Sequence, residues 1–162
     1  METIGILDEK LSVNFKNESG NINPSFEKNG DSGFDLRAWI TDNEDTEIVL
    51  KPLERKLIHT GLYFEIPHNT EIQLRPRSGN ALKHGITVLN SPATIDEGYR
   101  GELCVLLINL SDTDFKIKNG DRIAQAVICP VRNSYTVSLN EIKSIDTNTD
   151  RGTGGFGHTG IK

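Results

Sequence analysis

Leu103-Cys104-Val105-Leu106-Leu107-Ile108 is the longest apolar stretch of the chain, and both of its alternating sets of side chains are apolar. A strand built from it has no face suited to water, so each side needs a cover. One cover is the second sheet of the domain. The other is either a further layer over an ordinary central strand or a neighbouring subunit. The stretch is far shorter than the ~20 apolar residues that a bilayer-spanning helix needs, so no membrane segment is expected.

Outward from this stretch the chain is a series of short runs rich in Val, Ile, Leu and Phe, bounded by Gly, Pro, Asn and Asp, with no long helical periodicity. Strands are expected over 48–50, 56–66, 71–75, 86–90, 102–109, 115–118, 122–130 and 135–139. That many short strands leave exposed edges unless the sheets close or stack, which favours an all-β sandwich, barrel or jelly roll. One short helix fits after Arg77, with Ser78 as N-cap and Gly85 as the stop. Its start offers unpaired amides and a partial positive charge, a seat for phosphate.

With 162 residues, 18 Lys+Arg against 23 Asp+Glu and a formal charge of −5, the chain fits one soluble domain. An acidic balance with 6% aromatics argues against a protein that coats nucleic acid, which needs a basic face. The first ten residues show neither a basic leader before a long apolar stretch nor an Arg-rich amphipathic pattern, so the expected compartment is cytoplasmic. Cys104 and Cys129 each sit inside an apolar run and are expected to be buried small hydrophobes rather than a disulfide or metal pair.

Six of the eight arginines (Arg37, Arg75, Arg77, Arg100, Arg122 and Arg151) lie in or beside short glycine-containing segments, whereas the lysines are scattered. Arginine presents a rigid fork suited to phosphate or carboxylate, so the distribution points to an anion site assembled from distant parts of the chain. The stretch 150–160 holds five glycines, one arginine and one aromatic, with nothing to pack into a core. It reads as a flexible arm that orders over a ligand. No metal-ligand cluster is expected, since His59, His68, His84 and His158 show no helical pairing and 42–47 lacks the glycine of a calcium loop. A Walker loop, a GxSxG elbow and a GxGxxG after a strand are all missing as well.

Five segments stand in order: Asp-Ser-Gly-Phe-Asp-Leu-Arg-Ala (31–38), Pro-Arg-Ser-Gly (76–79), Ala-Thr-Ile-Asp-Glu-Gly-Tyr-Arg-Gly-Glu (93–102), Gly-Asp-Arg-Ile-Ala-Gln (120–125) and Arg-Gly-Thr-Gly-Gly-Phe-Gly (151–157). Together they resemble the trimeric dUTPase family, from about residue 31 to 160. The resemblance implies a dUTPase-type jelly roll or β-clip over 1–149, with one short helix and a Gly-rich arm over 150–162. It also implies hydrolysis of dUTP to dUMP and pyrophosphate by water attack at the α-phosphorus, with Mg2+ held mainly by the triphosphate. Such an enzyme lowers dUTP, which keeps uracil out of DNA, and supplies dUMP for thymidylate. The implied partners are dUTP and two further copies of the chain, in a homotrimer with shared active sites and no nucleic acid or membrane.

The resemblance assigns roles residue by residue. Asp96 matches the carboxylate that activates water, a general base contributing typically ~10²–10⁴-fold. Gln125 matches the residue that helps hold that water, and Asp35 the acid that orders the magnesium's water shell. Arg77, Ser78 and Gly79 match the phosphate-binding second motif, which is the helix start already singled out. Arg151 matches an arginine that clamps the terminal phosphate when the arm closes. Arg122 and Arg100 are given structural or intersubunit roles.

In this family a β-hairpin around the third motif pairs its main chain with uracil, and a buried donor–acceptor order of that kind discriminates by roughly 10⁴ or more. By position, Asn90, Thr94, Ile95 and the main chain of Cys104 line that pocket. Tyr99 matches the aromatic beneath the deoxyribose, which leaves no room for a 2′-hydroxyl, and Phe156 the arm aromatic that stacks on uracil, followed by Gly157.

Two positions depart from the family pattern. Ala93 stands where glycine is common, so either the backbone there is ordinary or a small strain is tolerated. His158 stands where a small hydroxyl residue is usual, and its protonated form would add a charge-assisted contact to the terminal phosphate as pH falls through about 6.5. A dCTP deaminase of the same fold and a catalytically silent binding protein are the competing readings. No role is assigned to residues 2–30.

Overall fold

The computed structural model describes residues 10–41 and 47–155. Its elements are β1 (Asn14–Asn17), β2 (Gly33–Arg37), β3 (Glu47–Leu50), β4 (Arg55–Ile58), β5 (Leu62–Glu65), β6 (Thr70–Arg75), α1 (Ser78–His84), β7 (Ile86–Val88), β8 (Ala93–Ile95), β9 (Val105–Asn109), β10 (Phe115–Lys118) and β11 (Arg122–Pro130). The chain divides into two units, Met1–Val131 and Arg132–Lys162, and every described strand and helix belongs to the first. The all-β expectation therefore holds, with one short helix.

Two sheets carry the architecture, one of order β2-β11-β6-β8 and one of order β4-β9-β7, supplemented by the ribbons β1-β5 and β10-β3. Every pairing is antiparallel. Period-2 alternation sorts the faces. In β6, Thr70, Ile72 and Leu74 are buried while Glu71, Gln73 and Arg75 take the other face. Leu36, Ile72 and Leu74 from the first sheet share one core with Ile58, Val105 and Leu107 from the second. Asn109 is, with Thr60 and Thr70, one of the buried polar residues among those described. Its amide donates to Leu50 O and Thr113 O and its oxygen accepts from Ser111, so nothing on it is left unpaired.

The two-sided apolar run is β9, and the described residues fully cover only one of its faces. Val105 and Leu107 are fully buried, whereas Leu106 and Ile108 on the outer face are half-buried, and Leu57, opposite Leu106, is 56% exposed. Strand edges also moved. The run expected as one strand over 56–66 is two, β4 and β5, because Gly61 takes φ +66° and the Thr60 hydroxyl accepts the Leu62 N–H. The strand expected from 102 begins at Val105, because the Glu102 side chain turns back to bond the N–H groups of Thr60 and Gly61.

Helix α1 starts one residue earlier than Ser78 as N-cap implied. Arg77, in extended conformation, is the N-cap and makes no side-chain cap bond, while Ser78 is the first helical residue. Gly85, at φ 64°, ends the helix as expected. No strand forms over 135–139, where the chain makes a turn through Asn133 and Thr136 and then runs without regular structure. Tyr135, Val137 and Leu139 stay exposed there, and without a ladder partner an extended segment is not a strand.

Strands β1, β2 and β8 were not anticipated. Each is short and carries at most two large apolar residues, Phe34 and Leu36 in β2 for example. Residues before the first motif do have a structural role: β1 pairs with β5, and Phe26 packs edge-on against Phe34 with ring centroids 5.7 Å apart.

Candidate functional site

The β2-β11-β6 register puts three polar residues in one row on the outer face of the larger sheet. Gln125 is the Cα partner of Asp35 on one side and of Arg75 on the other. Just beyond β6, Arg77 turns its guanidinium onto Asp35, with Nε at 2.7 Å from Oδ1 and Nη2 at 3.5 Å from Oδ2. Arg122, at the start of β11, reaches the same carboxylate at 3.2 Å. Two positive charges thus meet one negative charge beside the start of α1, and the cluster keeps a net attraction for anions.

Gln125 donates from Nε2 to Pro76 O at 3.0 Å, which ties the second motif to the fourth and leaves its amide oxygen toward β2. Glycine at position 33 is what lets that amide sit so close: a Cβ there would lie 2.8 Å from Gln125 Oε1 and 3.1 Å from Ala126 O. A cleft of about 460 Å3 opens beside this row, lined by Ile22, Pro24, Gly33, Asp35, Arg37 and Gln125 among others. Its wall is partly the segment before the first motif.

The third motif lies elsewhere. Asp96 follows β8, is exposed, and has no side-chain partner among the described residues; its carbonyl accepts the Tyr99 N–H at 3.0 Å. Tyr99 is 46% exposed, folds its ring over Gly101 and donates its hydroxyl to Glu102 O at 2.9 Å. Arg100 braces the same turn through bonds to the carbonyls of Glu97 and Tyr99. Ala93 is an ordinary buried strand residue outside the left-handed region, so its departure from glycine brings no strain.

Around this turn the residues expected to line a base pocket fall into two arms. Thr94 and Ile95 lie on β8 opposite Gln73 and Ile72, with Thr94 exposed. Asn90 is exposed at the end of β7, where the Leu89 N–H bonds Leu106 O and carries the β7-β9 pairing past its ladder toward Cys104. No ladder joins β8 to residues 102–104 among the described residues, so these arms are not paired with each other.

Register gives the separation of the two regions. Ile95 is opposite Ile72, so Asp96 comes level with Glu71, while Gln125 is level with Arg75. At ~3.3 Å per residue along β6 and ~4.8 Å per strand, the Asp96 and Gln125 Cα atoms are ~16 Å apart. Asp35, Arg77, Arg122 and Gln125 are brought together by one chain. Asp96 and Tyr99 are not brought to them.

Pairing of β4 with β9 also assembles a cluster that the sequence did not reveal: ligand atoms of His59, Glu102 and Cys104 lie within 4.8 Å of one another. His59 Nδ1 is 2.7 Å from Glu102 Oε2 and 3.7 Å from Cys104 Sγ. Neither cysteine is the fully buried hydrophobe expected; both are half-buried and free. Burial, then the Glu102 charge, pushes the Cys104 thiol up to about 11. Burial works against the Glu102 carboxylate too, but bonds from His59, Gly61 and Thr60 outweigh it and hold the group below its ordinary value.

In the second unit Arg151 forms a local turn, bonding Gly154 O through Nε at 3.2 Å and accepting the Gly154 N–H. Phe156, Gly157 and His158 lie outside the described residues, as does 42–46.

The fold and this cluster define a class: an all-β protein with a row of arginine, carboxylate and amide groups of a kind that suits a polyanion. Comparison with known proteins makes this specific. The family model for dUTPase matches residues 21–160, ten residues further toward the N-terminus than the motifs alone indicated. The chain is 52% identical to a deoxyuridine 5'-triphosphate nucleotidohydrolase of Treponema denticola over 93% of its own length and 99% of that protein. It is 50% identical to the same-named protein of Cytophaga hutchinsonii, covering 92% of each. In three dimensions it is similar to the dUTPase of Staphylococcus bacteriophage 80alpha with dUPNHPP, at TM-score 0.81 and 24% identity over 94% of this chain and 100% of that one. The chain belongs to the dUTPase family.

Proposed function

We propose that this protein hydrolyses dUTP to dUMP and pyrophosphate, by attack of water on the α-phosphorus, in sites that two or more copies of the chain build together. The observation that carries this reading is the convergence of Arg77, Arg122 and Gln125 around Asp35, in a chain half identical to proteins named for that activity. Phosphoryl transfer needs positioning and charge neutralisation more than covalent chemistry. Arg77 and Arg122 supply cations for phosphate oxygens, and the first-turn amides of Ser78 and Gly79 supply further donors. Asp96 takes the proton of the attacking water and Gln125 orients that water.

A single water cannot touch two side chains whose backbones are ~16 Å apart on one sheet. Asp96 and Gln125 of one site therefore come from different copies, and a homotrimer with three shared sites satisfies this. The half-covered outer face of β9 is a surface on which such copies can bury apolar area. Asn90, Thr94, Ile95 and the Cys104 main chain, in unpaired arms, offer donors and acceptors to uracil, and Tyr99 excludes a 2′-hydroxyl. On this reading Arg151 takes the terminal phosphate and Phe156 and Gly157 the base, the roles that the resemblance implies for them.

Magnesium suits this donor set as an outer-sphere ion. Asp35 is an oxygen donor whose carboxylate is already engaged by two arginines, so it would help hold the ion through water, with the triphosphate as the main holder. The ion, when bound, neutralises phosphate charge. A structural Mg(II) ion is described for a mutant dUTPase of phage phi11 of S. aureus, of the same fold at TM-score 0.72 and 21% identity. The protein is expected to work in the cytoplasm; no helix among the described residues is long and apolar enough to cross a membrane.

Pyrophosphate release measured with dUTP, dCTP, dTTP and UTP tests the reading. Turnover of dUTP alone is expected. Ammonia from dCTP would identify a deaminase instead, and tight binding of dUTP without turnover would identify a silent binding protein.

A further inference from the structure

We infer that His59, Glu102 and Cys104 form a site for one Zn2+ per chain, separate from any magnesium at the triphosphate. The donors are one imidazole nitrogen, one carboxylate oxygen and one sulfur, a set that selects zinc over magnesium, which prefers oxygen alone. They come from both strands of one pairing. Ile58 is opposite Val105, so one step further His59 is opposite Cys104, with both side chains on the outer face. Directly opposed Cβ atoms are ~5 Å apart, a span that a shared metal bridges.

The distances fit a tetrahedral ion. Zinc with ~2.0–2.1 Å bonds to N and O and ~2.3 Å to S places its ligands about 3.3–3.6 Å from one another. Cys104 Sγ is 3.7 Å from His59 Nδ1 already. His59 Nδ1 and Glu102 Oε2, at 2.7 Å, must open by about 0.6 Å to reach that spacing, and the exposed His59 ring is free to do so, its side chain being 54% accessible. Glu102 is oriented for the purpose: Oε1 accepts the N–H groups of Thr60 and Gly61 at 3.1 and 2.8 Å, which leaves Oε2 for the ion. Metal-ligating carboxylates are typically held by such outer bonds. Three protein ligands leave a fourth position open for water or another ligand.

The competing structure is a plain His59–Glu102 ion pair with a thiol beside it. Full-length protein, freed of metal by chelator and dialysis, is titrated with Zn2+ against a chromophoric chelator and separately with Co2+. Expected are one Zn2+ per chain, binding at least tenfold weaker in Cys104→Ser and in His59→Gln, and a sulfur-to-cobalt charge-transfer band that Cys104→Ser abolishes. His59→Gln changes an exposed side chain, so it stays informative if Cys104→Ser does not fold. No stoichiometric binding at ~10 μM Zn2+, or binding unchanged in either folded variant, overturns the site. The readout involves no dUTP, so its failure leaves the proposed activity untouched and the converse holds too.

Discussion

At one end of the larger sheet Asp35 holds two arginines, Gln125 is tied to Pro76 O, and Gly33 leaves no room for even a methyl group. At the other end Asp96 stands exposed without a side-chain partner among the described residues, Thr94 faces solvent, and Gly98 has nothing within 4 Å of where a Cβ would be. The first region is preorganised by contacts inside one chain, so its polar groups need no rearrangement to meet phosphate. The second is built on two unpaired arms and a turn, and the described residues give Asp96 no side-chain contact. On the proposed reading, one protomer carries two half-sites of different kinds.

The largest effect that can break this comparison comes from separating the halves genetically. Asp96→Asn and Arg77→Ala are each expected to lower kcat at least 100-fold, within the ~10²–10⁴ range for a general base in the first case. When the two inactive variants are unfolded, mixed in equal amounts and refolded together, sites pairing an intact Asp96 with an intact Arg77 reappear. Random assortment between two chains yields about a quarter of wild-type pyrophosphate release in a closed symmetric oligomer. If the mixture has only the summed activity of the two variants, each site belongs to one chain and the divided arrangement is wrong.

Next in size is a contrast of two glycine substitutions. Gly33→Ala forces a Cβ to 2.8 Å from Gln125 Oε1 and 3.2 Å from Val127 Cγ2, and overpacking of this kind costs about 1–3 kcal/mol. A lower urea midpoint and a reduced kcat should accompany each other, because Gln125 is what must move. Gly98→Ala meets open space with no left-handed φ and should stay within ~0.5 kcal/mol of the wild type. Equal costs at the two positions would erase the distinction between a packed and an open half-site.

How much of this was legible in the sequence varied with range. The strands over 115–118 and 122–130 were readable because their apolar residues and flanking turns are local signals. Strand β2 was not, since its sequence is two apolar residues among Gly, Asp and Arg, and only pairing with β11 makes it a strand. Arg77 as a candidate for binding anions followed from helix-start chemistry, yet Asp35 as the hub of Arg77 and Arg122, 42 and 87 residues away, is a tertiary fact. His59, Glu102 and Cys104 were missed for the same reason. Metal spacing within one helix or turn is visible in a sequence; a trio assembled across two strands is not.

The smallest expected change bears on what the open half-site does. Tyr99 donates its hydroxyl to Glu102 O while its ring lies over Gly101, half in solvent. Removing the hydroxyl in Tyr99→Phe deletes one neutral hydrogen bond at an exposed turn, for a stability loss of about 0.5–1.5 kcal/mol at most. If the ring is what excludes a 2′-hydroxyl, the Phe variant keeps its full preference for dUTP over UTP, because the ring face is unchanged. Competition between the two nucleotides at equal concentration reads that preference directly. A Phe variant that accepts UTP would place selectivity in the hydroxyl and its hold on the third-motif turn, and the open arms would then need that one bond to stay in register with the sugar.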